Sequence, residues 1–159
     1  MQFLFEKAAQ VGAALIARKE TIAIAESSSG GLLSAALLSV PGASAYYLGG
    51  AVVYTARARM RLLDLPRESV GGLRSASEPY AALLARTVRE RFRADWGISE
   101  TGAAGPTGNP YGDIPGHTCI ALAGNEIDTL TLETGLSDRA DNMRRFALAA
   151  LDLILSKIA

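Results

Sequence analysis

The sequence is poor in three residue types that build many functional sites. It has one cysteine, Cys119, and one histidine, His117, and its three lysines lie at positions 7, 19 and 157. A single cysteine excludes an internal disulfide framework, and a single histidine excludes a metal site built from several histidines. Cys119 lies in an apolar run, so we expect it to be a small buried hydrophobic residue. We expect neither a metal nor a cofactor.

The sequence also lacks a long hydrophobic segment and an excess of charge of either sign. No apolar run approaches the roughly 18 residues that span a membrane, and no signal-peptide pattern is present. The formal net charge is zero, which argues against general nucleic-acid binding. A length of 159 residues, of which 49% are hydrophobic, predicts one globular domain over residues 1–159. We therefore expect a cytoplasmic protein with no membrane partner.

The hydrophobic periodicity predicts alternating helices and strands. Apolar residues at helical spacing indicate amphipathic helices, and short apolar or alternating runs between turn residues indicate strands. The predicted helices cover residues 3–19, 30–39, 56–63, 78–93 and 138–158, and the predicted strands cover 21–25, 46–55, 94–101, 117–123 and 127–133. This order predicts a three-layer α/β/α domain with a mixed sheet, helices on both faces and one antiparallel hairpin.

Three serines and two glycines follow the first predicted strand, at residues 27–31. The N–H groups that begin the next helix are unpaired and carry partial positive charge, so they can hold an anion. A serine at this place could attack a carbonyl carbon while those N–H groups stabilise the oxyanion. The plainer interpretation is a serine-capped turn with solvated hydroxyls. Both interpretations stay open on this stretch alone.

A glycine-rich loop follows the third predicted strand, from Thr101 through Gly102 and Gly105 to Gly112. Ligands of α/β sheets bind beyond the carboxyl ends of parallel strands, where this loop and the serine turn would meet. Its N–H groups could face a phosphate or a carboxylate. The loop lacks the P-loop pattern, and a long surface turn is an equal alternative.

Four further side chains are candidates for this crevice. Tyr54 ends the second predicted strand and could relay a proton, whereas Arg59 cannot act as a base and could instead hold an anion. Arg139 begins the last helix, where a cation is unfavourable, so either a bound anion or a neighbouring aspartate neutralises it. His117 could be a general base or a structural residue. For Tyr54 and Arg59 the alternatives are packing and surface exposure.

The motifs resemble those of the CinA C-terminal domain family. Residues 25–31 are similar to the signature A-E-S-C-T-G-G of that family, with Ser28 and Ser29 in place of its cysteine and threonine. Segments 40–45, 50–54 and 101–106 also match in order and spacing. The resemblance covers essentially the whole chain. It implies an anticodon-binding-domain-like α/β/α fold.

The resemblance also implies an activity, the hydrolysis of nicotinamide mononucleotide to nicotinate mononucleotide and ammonia. The implied nucleophile is Ser27, and the implied supporting residues are Ser44, Tyr54, Thr101 and Arg139. N–H groups near Gly30, Gly31 and Gly102 would hold the oxyanion, and Arg139 and the loop around Gly105 would hold the phosphate. The partner expected is a small nucleotide, and a homodimer is expected for a small α/β domain of this kind.

Two departures from the family pattern lead to alternatives. The family has a lysine shortly after the tyrosine, and this chain has Arg59, a poor proton acceptor that could orient the serine or bind phosphate. The long loop also differs, which leaves Asp113 and His117 as conceivable replacement bases. One alternative is therefore a nucleotide-binding or regulatory module without catalysis. Another is hydrolysis of a different amide or ester.

Overall fold

The computed structural model describes residues 1–159 and contains six α-helices and five β-strands. The helices are α1 (Gln2–Arg18), α2 (Leu32–Leu38), α3 (Ala56–Leu63), α4 (Arg67–Val70), α5 (Glu78–Phe92) and α6 (Arg139–Ile158). The strands are β1 (Ile22–Glu26), β2 (Tyr47–Val52), β3 (Trp96–Ala103), β4 (His117–Ala123) and β5 (Ile127–Glu133). A single 3-10 turn, Ala43–Ala45, precedes β2.

The five strands form one mixed sheet in the order β2-β1-β3-β4-β5. β1 is parallel to both β2 and β3, and β4 is antiparallel to β3 and β5. All residues of β1 and β4 are buried, which agrees with the absence of polar alternation in both sequences. The buried polar residues of these strands, Glu26, His117 and Thr118, lie at the strand ends near the serine turn and the glycine-rich loop. The predicted α/β architecture with a mixed sheet and one antiparallel hairpin is confirmed.

The two faces of the sheet bury side chains of different size. Branched residues such as Ile24 and Ile98 face the layer of α1, α2 and α6, where 19 buried residues form the largest core cluster. Alanines such as Ala23 and Ala121 face α5 on the other side. A Cβ at Gly97 would lie 2.2 Å from the carbonyl oxygen of Ala85, so α5 packs close to β3. Small residues on this face therefore allow the close approach of α5.

Cys119 packs on this second face and is 2% exposed, as predicted. Burial raises the pKa of its thiol. None of the helices combines the length and the hydropathy that a transmembrane segment needs.

Several element boundaries differ from prediction near the carboxyl ends of β1 and β2. β1 includes Glu26, and β2 ends at Val52 rather than at residue 55. The last bond to β1 is donated by the Val53 N–H to the carbonyl of Glu26 (2.8 Å). Two residues later, Thr55 is the N-cap of α3, and its side chain accepts a hydrogen bond from the Ala58 N–H (3.1 Å). The chain therefore leaves the sheet before Tyr54, which is 59% exposed. The short helix α4 was not predicted.

Candidate functional site

Two adjoining cavities open beyond the carboxyl ends of β1 and β3. The Ser27 cavity has a volume of about 390 Å³, and its polar lining includes Ser27, Tyr54, Arg59, Ser75 and Thr101. The Ser28 cavity has a volume of about 240 Å³, and Ser28, Tyr54, Arg139 and the loop with Gly102 and Gly105 line it. Both cavities share Tyr54, Gly102, Asn109 and Pro110. The fold thus brings the serine turn and the glycine-rich loop together at the predicted edge.

The three serines of the turn have different surroundings. Ser27 is half-buried, borders its cavity, and its hydroxyl makes no hydrogen bond to another protein group. Ser28 and Ser29 are 4% and 0% exposed, and both hydroxyls face buried carboxylates. The Ser27 hydroxyl is therefore free, whereas the hydroxyls of Ser28 and Ser29 are hydrogen-bonded to carboxylates.

Glu26 occupies the anion site at the start of α2. Its carboxylate is fully buried and accepts hydrogen bonds from the Gly31 N–H (2.7 Å) and from the N–H and hydroxyl of Ser34 (2.9 and 2.7 Å). The Gly30 N–H bonds to the carbonyl of Ser27 (3.1 Å). The oxyanion role expected for Gly30 and Gly31 is therefore not available, because a side chain of the same chain already caps this helix.

Glu100 is a second fully buried carboxylate, and it holds the serine turn from β3. The Ser28 hydroxyl donates to its Oε1, as does the Thr118 hydroxyl at 2.9 Å. Its Oε2 accepts from the N–H of Ser27 (3.2 Å) and from the N–H and hydroxyl of Ser29 (2.8 and 2.9 Å). These bonds compensate for removing the carboxylate from water.

Neither Glu26 nor Glu100 was predicted from the sequence to be functional. The sequence feature that could have indicated them is an acidic residue within an otherwise apolar strand. Acidic side chains are almost never fully buried unless they have a partner, so such a position points to a bonded carboxylate. Both acids fit that description, at the end of β1 and within β3.

Arg59 is a buried cation without a carboxylate partner. It is 8% exposed, its Nε donates to the carbonyl of Leu65 (3.1 Å), and one terminal nitrogen donates to the Tyr80 hydroxyl (3.2 Å). Its guanidinium carbon lies 5.8 Å from the centre of the Tyr80 ring. No ion pair involves it, although it borders the Ser27 cavity. A buried unpaired charge is costly, so this position favours an anionic ligand.

Arg139 connects the glycine-rich loop to Tyr54. Its guanidinium donates to the carbonyl of Gly105 (2.6 Å) and to the Tyr54 hydroxyl (3.2 Å). The predicted alternative was a pair with a nearby aspartate, but Asp141 pairs with Arg145 at 3.1 Å and with Arg144 at 3.5 Å. Arg139 therefore presents its positive charge to the Ser28 cavity.

His117 holds the wall of the Ser27 cavity and does not contact Ser27. Its two ring nitrogens face the Glu133 carboxylate and the carbonyl of Ala76 (2.8 Å). Burial lowers the pKa of His117, but the bonds to Glu133 and Ala76 and the charges of Glu133 and Asp113 raise it more, so its pKa is raised. The N–H of Ala76 in turn donates to the Thr101 hydroxyl (3.1 Å).

Asp113 is the second conceivable replacement base, and it is also engaged elsewhere. It accepts from Asn109 and Arg74, at 2.7 Å in each case. Burial raises the pKa of this carboxyl, but the two hydrogen bonds and the charges of His117 and Arg74 lower it further than burial raises it. Neither Asp113 nor His117 therefore supplies a base to Ser27.

Ser44 is not brought to either cavity within the chain. It is exposed in the 3-10 turn before β2, and Tyr47 at the start of β2 pairs with Ile22 at the start of β1. This is the amino end of the parallel strands, opposite to the cavities. The substrate-binding role implied for Ser44 therefore has no support from the geometry of a single chain.

Gly102 and Gly105 line the Ser28 cavity as predicted for the loop. A Cβ at Gly102 would lie 2.4 Å from the carbonyl oxygen of His117, and Gly105 has a φ of +106°. Close packing and backbone conformation thus explain both glycines.

Residues 5–158 match the family model described as the CinA C-terminal domain. A CinA-like protein of Chlorobium limicola is 42% identical over 147 residues, which cover 89% of this chain and 34% of that protein. One from Cytophaga hutchinsonii is 41% identical over 145 residues, covering 91% and 34%. The chain thus spans about a third of the length of these curated relatives.

Solved structures agree with the fold over nearly the whole chain. A competence-damaged protein (CinA) superfamily protein from Klebsiella pneumoniae superimposes with a TM-score of 0.91 at 26% identity, covering 98% of this chain and 97% of that one. One from Escherichia coli gives a TM-score of 0.88 at 27% identity, covering 96% and 88%.

Proposed function

This chain belongs to the CinA C-terminal domain family, and on that premise we propose that it is an amidohydrolase that converts nicotinamide mononucleotide to nicotinate mononucleotide and ammonia. The observation that carries the proposal is the free hydroxyl of Ser27 in a cavity that also contains Tyr54, Thr101 and the unpaired cation of Arg59. Hydrolysis of an anionic amide requires a nucleophile, groups that transfer protons and a cation that binds the negative charge. The serine, the hydroxyl groups and the arginine at this edge of the sheet are candidates for these three roles.

The proposed reaction has two acyl-transfer steps. A serine oxygen attacks the carboxamide carbon, and the C–N bond then breaks to release ammonia. Water hydrolyses the resulting ester and restores the hydroxyl. Ser27 is the first candidate for this oxygen, because it occupies the motif position and its hydroxyl has no competing partner.

The substrate's phosphate is proposed to bind the cations of the two cavities. Arg59 lacks an anionic partner, and Arg139 is the charged residue that borders the Ser28 cavity. Arginine suits this role because its planar fork can bind two phosphate oxygens at once.

The experiment that tests the function measures ammonia released from nicotinamide mononucleotide by the purified protein and by Ser27→Ala. Ser39→Ala is the matched control, since Ser39 is exposed at the far end of α2 and its hydroxyl bonds only to the carbonyl of Ala36. We expect turnover by the wild type and the control, and a large loss in Ser27→Ala. Absence of turnover by the wild type would reject the amidase assignment.

A second candidate function is nucleotide binding without catalysis. The favouring observation is that no base lies within hydrogen-bond reach of the Ser27 hydroxyl, while Arg59 stands where the family has lysine. It predicts that calorimetry detects the mononucleotide bound without ammonia release, and that Arg59→Lys restores turnover. Turnover by the unaltered protein rules this candidate out.

The remaining alternative is hydrolysis of a different amide or ester. Measuring turnover on a panel of other carboxamides and esters distinguishes it from the first proposal.

A homodimer is also proposed. The edge strand β2 exposes Leu48 (42%) and Val52 (40%), and exposed apolar side chains on an unpaired edge favour association. Light scattering on the eluting protein measures the mass directly, and a monomer at micromolar concentration contradicts this expectation.

A further inference from the structure

A third cavity adjoins the Ser27 cavity on the side of α3 and α4. Its volume is about 480 Å³, which lies within the range of roughly 300–1,000 Å³ that small-molecule sites have. We call it the arginine cavity, because Arg59, Arg67 and Arg74 line it and no acidic residue does. None of the three serines at residues 27–29 borders it. The arginine cavity therefore offers a ligand a place outside the space around the candidate nucleophile.

Arg59 can bind a ligand from this cavity. Its Nε and one terminal nitrogen bond to Leu65 and Tyr80, and its other terminal nitrogen bonds to no protein group. Every fully buried polar side-chain atom of the chain has a hydrogen-bond partner, so this second nitrogen is accessible. Arg59 borders only the Ser27 cavity and the arginine cavity among the cavities described. Its free nitrogen therefore faces the space that these two cavities share.

The other two arginines add to the positive charge. Arg67 is exposed on α4 and makes no ion pair. Arg74 pairs with Asp113 at 2.7 Å, so its charge is largely neutralised. Two of the three cations in the lining thus lack a carboxylate partner, and the arginine cavity favours a ligand with a negative group.

The rest of the lining is mainly apolar and aromatic. Tyr111 and Leu73 are 51% and 38% exposed, and Val70 lies beside them in the same lining. The Tyr111 ring is held in place, because its backbone N–H donates to the side chain of Asn109 (3.0 Å) and the guanidinium carbon of Arg74 lies 5.7 Å from the centre of the ring. A held and half-exposed ring of this kind can stack against a planar ring of a ligand.

From this combination of cations and an aromatic ring we propose that the arginine cavity binds a second ligand, a nucleoside monophosphate. The phosphate binds Arg59 and Arg67, since a guanidinium can hold two phosphate oxygens at once. The base lies against Tyr111. Free phosphate would use the cations alone and a nucleoside the ring alone, so the complete nucleotide is the favoured occupant.

Arg59 connects this second site to the reaction, a step that rests on the proposed function. It borders both cavities and has one free terminal nitrogen. A phosphate in the arginine cavity therefore takes the cation that the phosphate of the substrate would use. The second ligand competes with the substrate in this way without entering the space around Ser27.

Isothermal titration calorimetry with adenosine monophosphate tests the site and needs no turnover. We expect the wild type to bind this probe more tightly than it binds inorganic phosphate or adenosine. Arg67→Met should weaken its binding by about tenfold, the value of one charge-assisted hydrogen bond. Tyr111→Leu should weaken it while leaving the binding of inorganic phosphate unchanged. The controls Arg61→Met, which changes an exposed arginine outside the cavity, and Arg139→Met, at the Ser28 cavity, should bind the probe as the wild type does.

A kinetic measurement tests the competition. Adenosine monophosphate should raise the KM for nicotinamide mononucleotide without changing kcat. Arg67→Met should abolish this rise while leaving the KM without the probe unchanged, because Arg67 does not border the Ser27 cavity. A fall in kcat at constant KM would overturn the competition through Arg59.

Four results of the calorimetry would overturn the second site itself. They are no binding of adenosine monophosphate, unchanged affinity in Arg67→Met, an equal loss in either control variant, and inorganic phosphate binding as tightly as the nucleotide. A protein that binds the probe through Arg67 and releases no ammonia from nicotinamide mononucleotide would reject the proposed function and keep the second site.

Discussion

Glu26 and Glu100 lie directly opposite each other on the parallel strands β1 and β3, and the hydroxyl of Ser29 lies 2.9 Å from both carboxylates. One carboxylate caps α2 and the other holds the serine turn, so the turn and the helix are positioned by two buried acids. The preorganisation of the candidate site therefore depends on this pair.

Ser29→Ala should destabilise the fold by about 2 kcal/mol, because it removes the hydroxyl between two buried carboxylates and leaves the one to which it donates with one fewer donor. Urea unfolding followed by circular dichroism measures this loss. The control Ser39→Ala removes one partly buried hydrogen bond to the carbonyl of Ala36 and should cost about 1 kcal/mol or less. Equal stability of the two variants would contradict the role given to Ser29.

Arg59→Met should leave the free protein as stable as the wild type or more stable, because it removes a buried charge that has no carboxylate partner. The same change should weaken binding of nicotinamide mononucleotide by about tenfold or more, the value of one charge-assisted hydrogen bond. Thermal unfolding with and without the nucleotide measures both effects. Arg57→Met, at an exposed position of α3, should change neither. A large loss of stability in Arg59→Met would show that Leu65 and Tyr80 make it a structural residue.

Raising the pH should destabilise the protein through His117. Its pKa is raised in the folded state, so the folded protein binds more protons than the unfolded one between the two values. This stabilisation is complete below the unfolded pKa of about 6.5 and is lost as the pH rises through the folded value. Urea midpoints measured from pH 6 to pH 9 should fall in the wild type. The slope should be smaller in His117→Gln, and an unchanged slope would exclude His117 as its source.

Gly97→Ala should be among the more damaging single changes, because the new Cβ would lie 2.2 Å from the carbonyl oxygen of Ala85 in α5. Helix and sheet would have to separate, at a cost of about 3 kcal/mol. Gly71→Ala is the comparison, since it has no atom within 4 Å and its φ is +63°. That change should cost only the backbone strain of about 1 kcal/mol. Chemical denaturation of both variants checks the difference.

Local patterns in the sequence predicted much of the fold. The bounds of β4, β5 and α3 agree with prediction, because the hairpin turn, the alternating strand and the stop at Asp64 act within a few residues. The serine turn and the glycine-rich loop were expected at one edge of the sheet, and they line the same pair of cavities. That expectation held because it follows from a general rule for parallel strands.

Contacts between distant residues were not predictable in the same way. Glu100 meets Ser28 across 72 positions of the chain, and Arg59 meets Tyr80 across 21. Whether a buried acid or cation has a partner depends on which strands are neighbours and on side-chain position, and no local pattern carries that information. For the same reason Ser44 matched its motif position and yet lies at the other end of the sheet.

The sequence by itself therefore determined the layers, the strand types and the serine-bearing turn, since hydrophobic period and turn chemistry act over short distances. Only the tertiary structure decided that Glu26 fills the helix start, that Ser27 lacks a base, and that Ser28 faces Glu100. The pairing of β1 with β3 places these two acids side by side, and because both are buried, hydroxyl and N–H groups of the serine turn and of α2 bond to them.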